Sequence, residues 1–232
     1  MSGISAWQEI RNGFDFSYLL SILLSVIPAL ICITLHELSH GLAAYALGDD
    51  TAKKAGRLSL NPIKHLDPVG LLMMATVHVG WAKPVPINMF RFQNPKRGMA
   101  LTALAGPASN FLITAVFLFV YGLLYLPLSG SPVGTYLLQM IELTASISLG
   151  LGIFNLIPIP PLDGSKVLFS VLSDRTYYNL MRYERYGSLI MFALIWAGVL
   201  GGPLSAAIHW AYDLLFPIAR LGFQLAASLF YS

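Results

Sequence analysis

The chain contains several uninterrupted apolar stretches of membrane length, and this feature limits its possible folds more than any other. A helix of about 20 apolar residues, rising about 1.5 Å per residue, crosses the hydrocarbon core of a bilayer. Only 11% of the 232 residues are charged. Soluble domains carry about 25% charged residues. The sequence therefore predicts an all-α polytopic membrane protein rather than a soluble fold.

We predict a bundle of about five transmembrane helices that form a single domain over residues 1–232. The predicted spans lie at about 18–47, 99–126, 135–157, 186–200 and 204–230. The last of them either crosses the bilayer or lies partly in its interface. Residues from about 69 to 90 combine an apolar patch too short to span as a helix with two prolines, Pro84 and Pro86. We expect a short re-entrant segment with extended or β backbone there.

Positive charge is distributed unevenly between the polar connections. The 51–98 connection holds eight Lys and Arg residues, the 165–185 connection holds four, and the 127–134 turn holds none. Positive connections stay in the cytoplasm, so the sequence predicts a cell-membrane protein whose N-terminus lies outside. This clustering is typical of membrane topology rather than nucleic-acid binding. We expect membrane lipid as a partner, and no nucleic acid.

The first predicted span contains the sequence His36-Glu37-Leu38-Ser39-His40, an H-E-x-x-H pattern. On a helix, His36 and His40 lie one turn apart on one face, where their imidazole nitrogens can bind one Zn²⁺. Glu37 lies beside them and can accept a proton from water. Ionisable residues are costly within a span and indicate function. The alternative is a hydrogen-bonded polar cluster that holds two helices together. The late position in the span predicts a site toward the cytoplasmic side.

A catalytic zinc site needs a third protein ligand, and Asp163 is the best candidate. Prolines at 158, 160 and 161 prevent a regular helix just before it. Irregular backbone at membrane depth is tolerated only where it is buried in protein or lines a watery cavity. The alternative is that Asp163 caps the helix that follows Gly164, a common role for aspartate. The preceding histidine motif favours the ligand.

Three motifs, in this order, resemble those of the site-2 protease family of intramembrane zinc metalloproteases. They are HELSH (36–40), AGPASN (105–110) and NLIPIPPLDG (155–164). The sequence GWAKPVPIN (80–88) is similar to that of the compact prokaryotic members. We accordingly expect neither an inserted PDZ domain nor a C-terminal CBS domain.

The resemblance implies an activity and a set of site residues. The activity is hydrolysis of peptide bonds in or near transmembrane segments of membrane-protein substrates, which is regulated intramembrane proteolysis. One Zn²⁺ per chain is expected on His36, His40 and Asp163, with Glu37 as general base. Asn110 and Asn155 are implied to be catalytic helpers near the metal, where amide donors suit an oxyanion. The alternative for both is helix-to-helix hydrogen bonding, worth about 0.6 kcal/mol on average in membranes.

The substrate must be unwound locally, because helical carbonyl groups are already hydrogen-bonded. We expect the extended segment Val79–Asn88 to pair with the substrate as an added strand. The substrate-binding residues predicted in it are Val79, Lys83, Val85 and Ile87. A catalytically inactive membrane scaffold or binding protein of the same fold is the second hypothesis. A metal transporter is the third, but it would need polar residues distributed through the spans, whereas here they cluster at one depth.

Overall fold

The structure, a computed structural model, describes residues 16–70 and 82–230, and most of these are helical. The long helices of the first two thirds are α1 (Phe16–Ala46), α3 (Pro95–Leu128) and α4 (Pro132–Asn155). The connection between α1 and α3 carries a short helix α2 (Thr51–Lys54) and two 3-10 turns (Pro62–His65 and Met89–Arg91). The last third consists of α5 (Asp163–Ser170), α6 (Asp174–Trp196), α7 (Gly201–Leu215) and α8 (Pro217–Phe230).

Local sequence signals fix where the central helices begin. The Asn94 side chain accepts a hydrogen bond from the Arg97 backbone N–H, and proline follows as the first residue of α3. At the start of α4, the Ser131 side chain accepts a hydrogen bond from the Gly134 backbone N–H, and proline is again the next residue. A capping side chain satisfies one of the free N–H groups of the first turn, and proline has no N–H to leave unpaired.

Three described helices are long and apolar enough to cross a membrane, at Val26–Ala46, Pro95–Leu128 and Pro132–Asn155. They correspond to the first three predicted spans, so the predicted helical membrane protein is confirmed. The number of about five spans is not confirmed. A fourth span exists only if Tyr186–Trp196 and Gly201–Leu229 count together, and this pair is bent by 87°.

The last third of the chain corrects two predictions. The helix of the predicted 186–200 span begins well before residue 186, because α6 starts at Asp174 and α5 also lies in the 165–185 connection. The predicted 204–230 span is not a single helix, because α7 ends at Leu215 and α8 begins at Pro217. Proline cannot donate the hydrogen bond that a continuous helix needs there. The bend after α6 is built on Gly198, whose φ of 70° is a left-handed value that glycine adopts at little cost.

Helix α3 is the centre of the bundle and packs against α1, α4, α5 and α8. Its approach to α8 is close enough to require glycine on both helices. A Cβ added to Gly122 would lie 1.8 Å from the carbonyl oxygen of Ala219. One added to Gly222 would lie 2.2 Å from the carbonyl oxygen of Phe119. Small residues let helix backbones approach in this way in membrane proteins.

The predicted re-entrant segment, about 69 to 90, lies partly outside the described residues, because 71–81 fall there. The described part, 82–88, forms no regular helix or strand, and its last residue, Asn88, has extended backbone. Its one bridge among the described residues is antiparallel and joins Leu66 to Ala82. The predicted re-entrant segment with extended or β backbone is therefore not confirmed. We keep the name extended segment for residues 82–88.

Candidate metal centre and active-site cleft

Helix α1 brings the two histidines of the HELSH motif together. Residues four apart in a helix lie on one face, and His36 Nε2 is 3.0 Å from His40 Nε2. Both side chains are buried. The two ring planes are perpendicular, with centroids 4.6 Å apart, and the two Nε2 atoms lie at one shared location.

Asp163 reaches the same location from a distant part of the chain. Its Oδ2 atom lies 3.2 Å from His36 Nε2 and 3.1 Å from His40 Nε2. The residue begins α5, but the side chain does not cap that helix, whose N-cap is Leu162 and has no side-chain cap bond. Helix α4 ends at Asn155, and the proline-rich 158–161 segment keeps it from continuing toward Asp163.

Hydrogen bonds on the far side of each imidazole leave the near sides of these three residues suited to a cation. His40 Nδ1 lies 2.7 Å from the Thr102 carbonyl oxygen, which can only accept, so Nδ1 carries the proton of the neutral ring. His36 Nδ1 lies 2.5 Å from Asn110 Oδ1, also an acceptor. Each Nε2 therefore presents a lone pair, and the buried Asp163 Oδ2 receives no hydrogen bond. Two imidazole nitrogens and a carboxylate oxygen are a donor set that binds zinc.

Gly106 of the AGPASN motif makes room for this cluster. A Cβ at this position would lie 2.4 Å from His40 Cε1, 2.5 Å from His40 Nε2 and 2.6 Å from His36 Cε1. Contacts this short do not occur between non-bonded carbon and nitrogen atoms. Helix α3 can lie directly against the imidazole rings only because it carries glycine there.

Glu37 lies at the edge of the cluster, in a cleft of about 140 Å³. Its Oε2 atom accepts a hydrogen bond of 3.0 Å from the backbone N–H of Val85. The cleft is also lined by Ile87, Asn155 and Lys166. The Lys166 Nζ atom lies 3.9 Å from Asp163 Oδ1, which brings a positive charge to the cleft wall.

The two predicted asparagines lie at different places. Asn155 lines the cleft and donates from Nδ2 to the Leu151 carbonyl of its own helix, at 3.0 Å. Asn110 is fully buried behind His36 and does not line the cleft. Its Nδ2 donates to Ser148 Oγ at 3.1 Å, so Asn110 makes both a contact with a histidine and a hydrogen bond between α3 and α4.

Of the four predicted substrate-binding residues, Val79 lies outside the described residues. The others lie on the extended segment. The Lys83 N–H donates to the His65 carbonyl at 2.9 Å, and the Lys83 carbonyl accepts from Arg57 Nη2 at 2.6 Å. Val85 and Ile87 face the cleft. The segment is thus held beside the metal centre by its backbone, and its apolar side chains form part of the cleft.

Asp49 anchors the far end of the extended segment. It is fully buried; its Oδ2 accepts from the Asn88 N–H at 2.6 Å and its Oδ1 accepts from the Thr51 N–H at 3.0 Å. Burial opposes ionisation, but the hydrogen bonds from Thr51 and Asn88 hold the pKa of Asp49 below its usual value. The carboxylate therefore stabilises the folded protein in its ionised form.

This pKa shift predicts a loss of stability in acid. A carboxylate with a lowered folded-state pKa stabilises the protein fully above its unfolded pKa of about 3.9, and this contribution disappears as the pH falls through the folded value. We expect Asp49→Ala to cost about 2 kcal/mol at pH 7 and less below about pH 3. Thermal unfolding in detergent at both pH values measures it, with the exposed Asp213→Ala as control. An equal loss at both pH values would contradict the assignment.

Comparison with known proteins places the chain in a family. The model of peptidase family M50 matches residues 122–198. The chain is 36% identical over 191 residues to "Putative zinc metalloprotease YwhC" of Bacillus subtilis, covering 80% of this chain and 83% of that protein. It is 26% identical over 221 residues to "Putative zinc metalloprotease Rip2" of Mycobacterium tuberculosis, covering 92% and 82%. No solved structure matches.

The fold and the metal centre define a helical membrane metalloprotease. The chain belongs to peptidase family M50, which confirms the predicted membership of the site-2 protease family. Its cofactor is Zn²⁺.

Proposed function

We propose that this protein is an intramembrane zinc endopeptidase that cuts transmembrane segments of other membrane proteins. The observation that carries the proposal is the convergence of His36, His40 and Asp163 on one location, beside a carboxylate and an extended segment. In the proposal, these three residues hold one Zn²⁺ per chain. All of residues 1–232 serve as one transmembrane metalloprotease domain.

Zinc bound there would lower the pKa of a water ligand and polarise the peptide carbonyl. The protein's own residues do the rest. Glu37 takes the proton from the attacking water and returns it to the leaving amine. Its Oε2 is engaged by Val85, whereas Oε1 has no hydrogen-bond partner among the described residues, so Oε1 is the oxygen available to the proton. Lys166 and Asn155, which line the cleft, are placed to donate toward negative charge on the carbonyl oxygen.

The extended segment has one edge that suits a substrate strand. On a strand, alternate residues direct their N–H and C=O groups to the same edge. Pro84 and Pro86 have no N–H, so the opposite edge cannot donate between Ala82 and Asn88. On the edge facing Glu37, the Val85 carbonyl and the Ile87 N–H find no partner among the described residues. An unwound substrate would take these two groups as an added strand and present its scissile bond to the cleft.

Ile87→Pro tests this pairing directly, because it removes an N–H that has no partner among the described residues. We expect cleavage to fall about 2- to 10-fold, the loss of one hydrogen bond. Ile87→Ala is the control, since it removes the same side chain and keeps the N–H. Cleavage rates of a purified transmembrane substrate measure both. Equal rates for the two variants would contradict strand addition.

The proposed orientation follows from the charges of the connections. The 51–98 connection, which contains the extended segment, carries eight basic residues, and the chain segment 165–185 carries four. The positive-inside rule places both in the cytoplasm and the N-terminus outside. The metal centre then lies toward the cytoplasmic side of the cell membrane. The partners are transmembrane protein substrates and lipid, with no nucleic acid.

Loss of a ligand tests the function as a whole. Purified in detergent, the protein is expected to hold one zinc per chain and to cut a transmembrane substrate. His40→Ala should lose both, because two ligands do not hold catalytic zinc. His209→Ala, which removes an exposed histidine on α7 that hydrogen-bonds to Ser205, is the matched control. A His40→Ala protein that retained zinc and cleavage would refute the site. Zinc without any cleavage in the unaltered protein would favour an inactive binding protein of the same fold.

A further inference from the structure

We propose that Ser148 is a positioning residue for the metal centre, and that it acts through Asn110 to select the tautomer of His36. The proposal rests on the proposed role of His36 as a zinc ligand. Ser148 lies on α4, fully buried, and lines neither the cleft nor the metal location. Its hydroxyl nevertheless determines which end of the Asn110 amide faces the imidazole.

Two hydrogen bonds join Ser148 to Asn110. The Ser148 hydroxyl donates to the Asn110 backbone carbonyl at 2.9 Å. The Asn110 Nδ2 atom donates to Ser148 Oγ at 3.1 Å. Asn110 is itself fully buried, and its Oδ1 lies 2.5 Å from His36 Nδ1. The three side chains thus form one buried relay between α4, α3 and α1.

The direction of each bond in this relay follows from the number of protons available. A serine hydroxyl has a single proton, and in the structure Ser148 donates it to the Asn110 backbone carbonyl, which also accepts from the Thr114 hydroxyl at 2.9 Å. The atom of the amide that faces Ser148 Oγ must then be a donor, which is Nδ2. This orientation turns Oδ1 toward His36, so His36 Nδ1 must donate. The Nε2 atom is left with the lone pair that a metal requires.

Removing the hydroxyl removes the hydrogen bond that, among the described residues, favours one orientation of the amide over the other. A carboxamide turned by half a rotation places Nδ2–H against His36 Nδ1, which must then accept. The neutral imidazole carries its proton on Nε2 in that case and cannot bind a metal through it. A buried hydroxyl that touches no ligand therefore contributes to the metal affinity.

The test is the zinc dissociation constant, measured on the purified full chain in detergent by competition with a chelator. Ser148→Ala is expected to weaken zinc binding about 10-fold, the lower end of effects seen for groups that orient metal ligands. Ser109→Ala is the matched control: it removes the same atoms next to Asn110 in sequence. Among the described residues, the Ser109 hydroxyl bonds only to the Gly106 carbonyl of its own helix. That control is expected to bind zinc like the unaltered protein.

Repeating the Ser148→Ala substitution in an Asn110→Asp variant distinguishes an effect on the His36 tautomer from an effect on packing. Asn110→Asp replaces the amide with a carboxylate, which accepts from His36 Nδ1–H in either orientation. In that background, Ser148→Ala is expected to change zinc affinity by less than about 2-fold, whereas a packing defect would persist. An equal loss in both backgrounds, or no loss in the first, overturns the proposal.

His36→Ala distinguishes this failure from failure of the proposed function. If His36→Ala binds zinc as tightly as the unaltered protein, His36 is not a ligand, and the proposed zinc site falls together with the role of Ser148. If His36→Ala loses zinc and Ser148→Ala does not, the zinc site stands and only the role of Ser148 is wrong.

Discussion

Glu37→Gln is expected to reduce cleavage by about 10²- to 10⁴-fold, which is the usual contribution of a general base. An amide cannot take a proton from water at neutral pH, so the proton transfer is lost. The amide oxygen can still accept the hydrogen bond that Glu37 Oε2 receives from the Val85 N–H. The extended segment should therefore remain in place. Zinc content should also be unchanged, because Glu37 is not among the three residues that surround the metal location.

Two measurements check this prediction. Cleavage of a co-expressed transmembrane substrate gives the activity, and metal analysis of the purified protein gives the zinc content. Glu142→Gln is the matched control, because Glu142 is an exposed carboxylate on α4 that does not line the cleft. Cleavage by Glu37→Gln at more than a tenth of the unaltered rate would refute the role of Glu37 as the base. Loss of zinc would show that the variant had disturbed the metal centre.

Gly106→Ala is expected to lower zinc affinity more than about 10-fold and to abolish nearly all cleavage. The added methyl group would lie within 2.6 Å of both imidazole rings. Neither ring can rotate away without losing the hydrogen bond of its Nδ1 atom, to Asn110 for His36 and to the Thr102 carbonyl for His40. The substitution does not destabilise the helical backbone of α3, because alanine is more favourable than glycine in a helix by about 1 kcal/mol. The whole effect should therefore fall on the metal centre.

Gly150→Ala is the control for this substitution. Gly150 lies within α4, and of the described residues a Cβ there would meet only the Ile208 Cδ1 atom, at an ordinary distance of 3.6 Å. It should keep its zinc and its activity. Zinc titration and substrate cleavage on both purified variants measure the difference. A Gly106→Ala protein with unaltered zinc affinity would contradict the position of α3 against the histidines.

The parts of the fold that follow from local signals could be predicted from the sequence. Uninterrupted apolar runs predicted α1, α3 and α4, and each predicted end lies within about four residues of the observed one. The α6 helix was missed over its first half because charged residues there predicted a solvated connection, yet Ser173 caps it and the backbone stays helical. The break at Pro217 was missed because the flanking residues are uniformly apolar. Hydropathy cannot distinguish a bent helix from a straight one.

The candidate site divides in the same way. The i, i+4 spacing of His36 and His40 is local, and spacing alone is enough to place both on one face of α1. Asp163 was identified from proline disruption and from the resemblance to a known family, and the structure brings it to the histidines. The roles of Gly106 and Ser148 depend on which helices meet. No spacing along the chain contains that information.

The hydrogen bond between Val85 and Glu37 joins two tasks in one contact. The backbone that would align a substrate is tethered to the carboxylate that would remove the proton. A displacement of the extended segment would also displace the Glu37 carboxylate. Substrate alignment and proton transfer are therefore coupled. A peptide bound with its register shifted by one residue would also strain the hydrogen bond between Val85 and Glu37. Cleavage at the wrong peptide bond would then be slower.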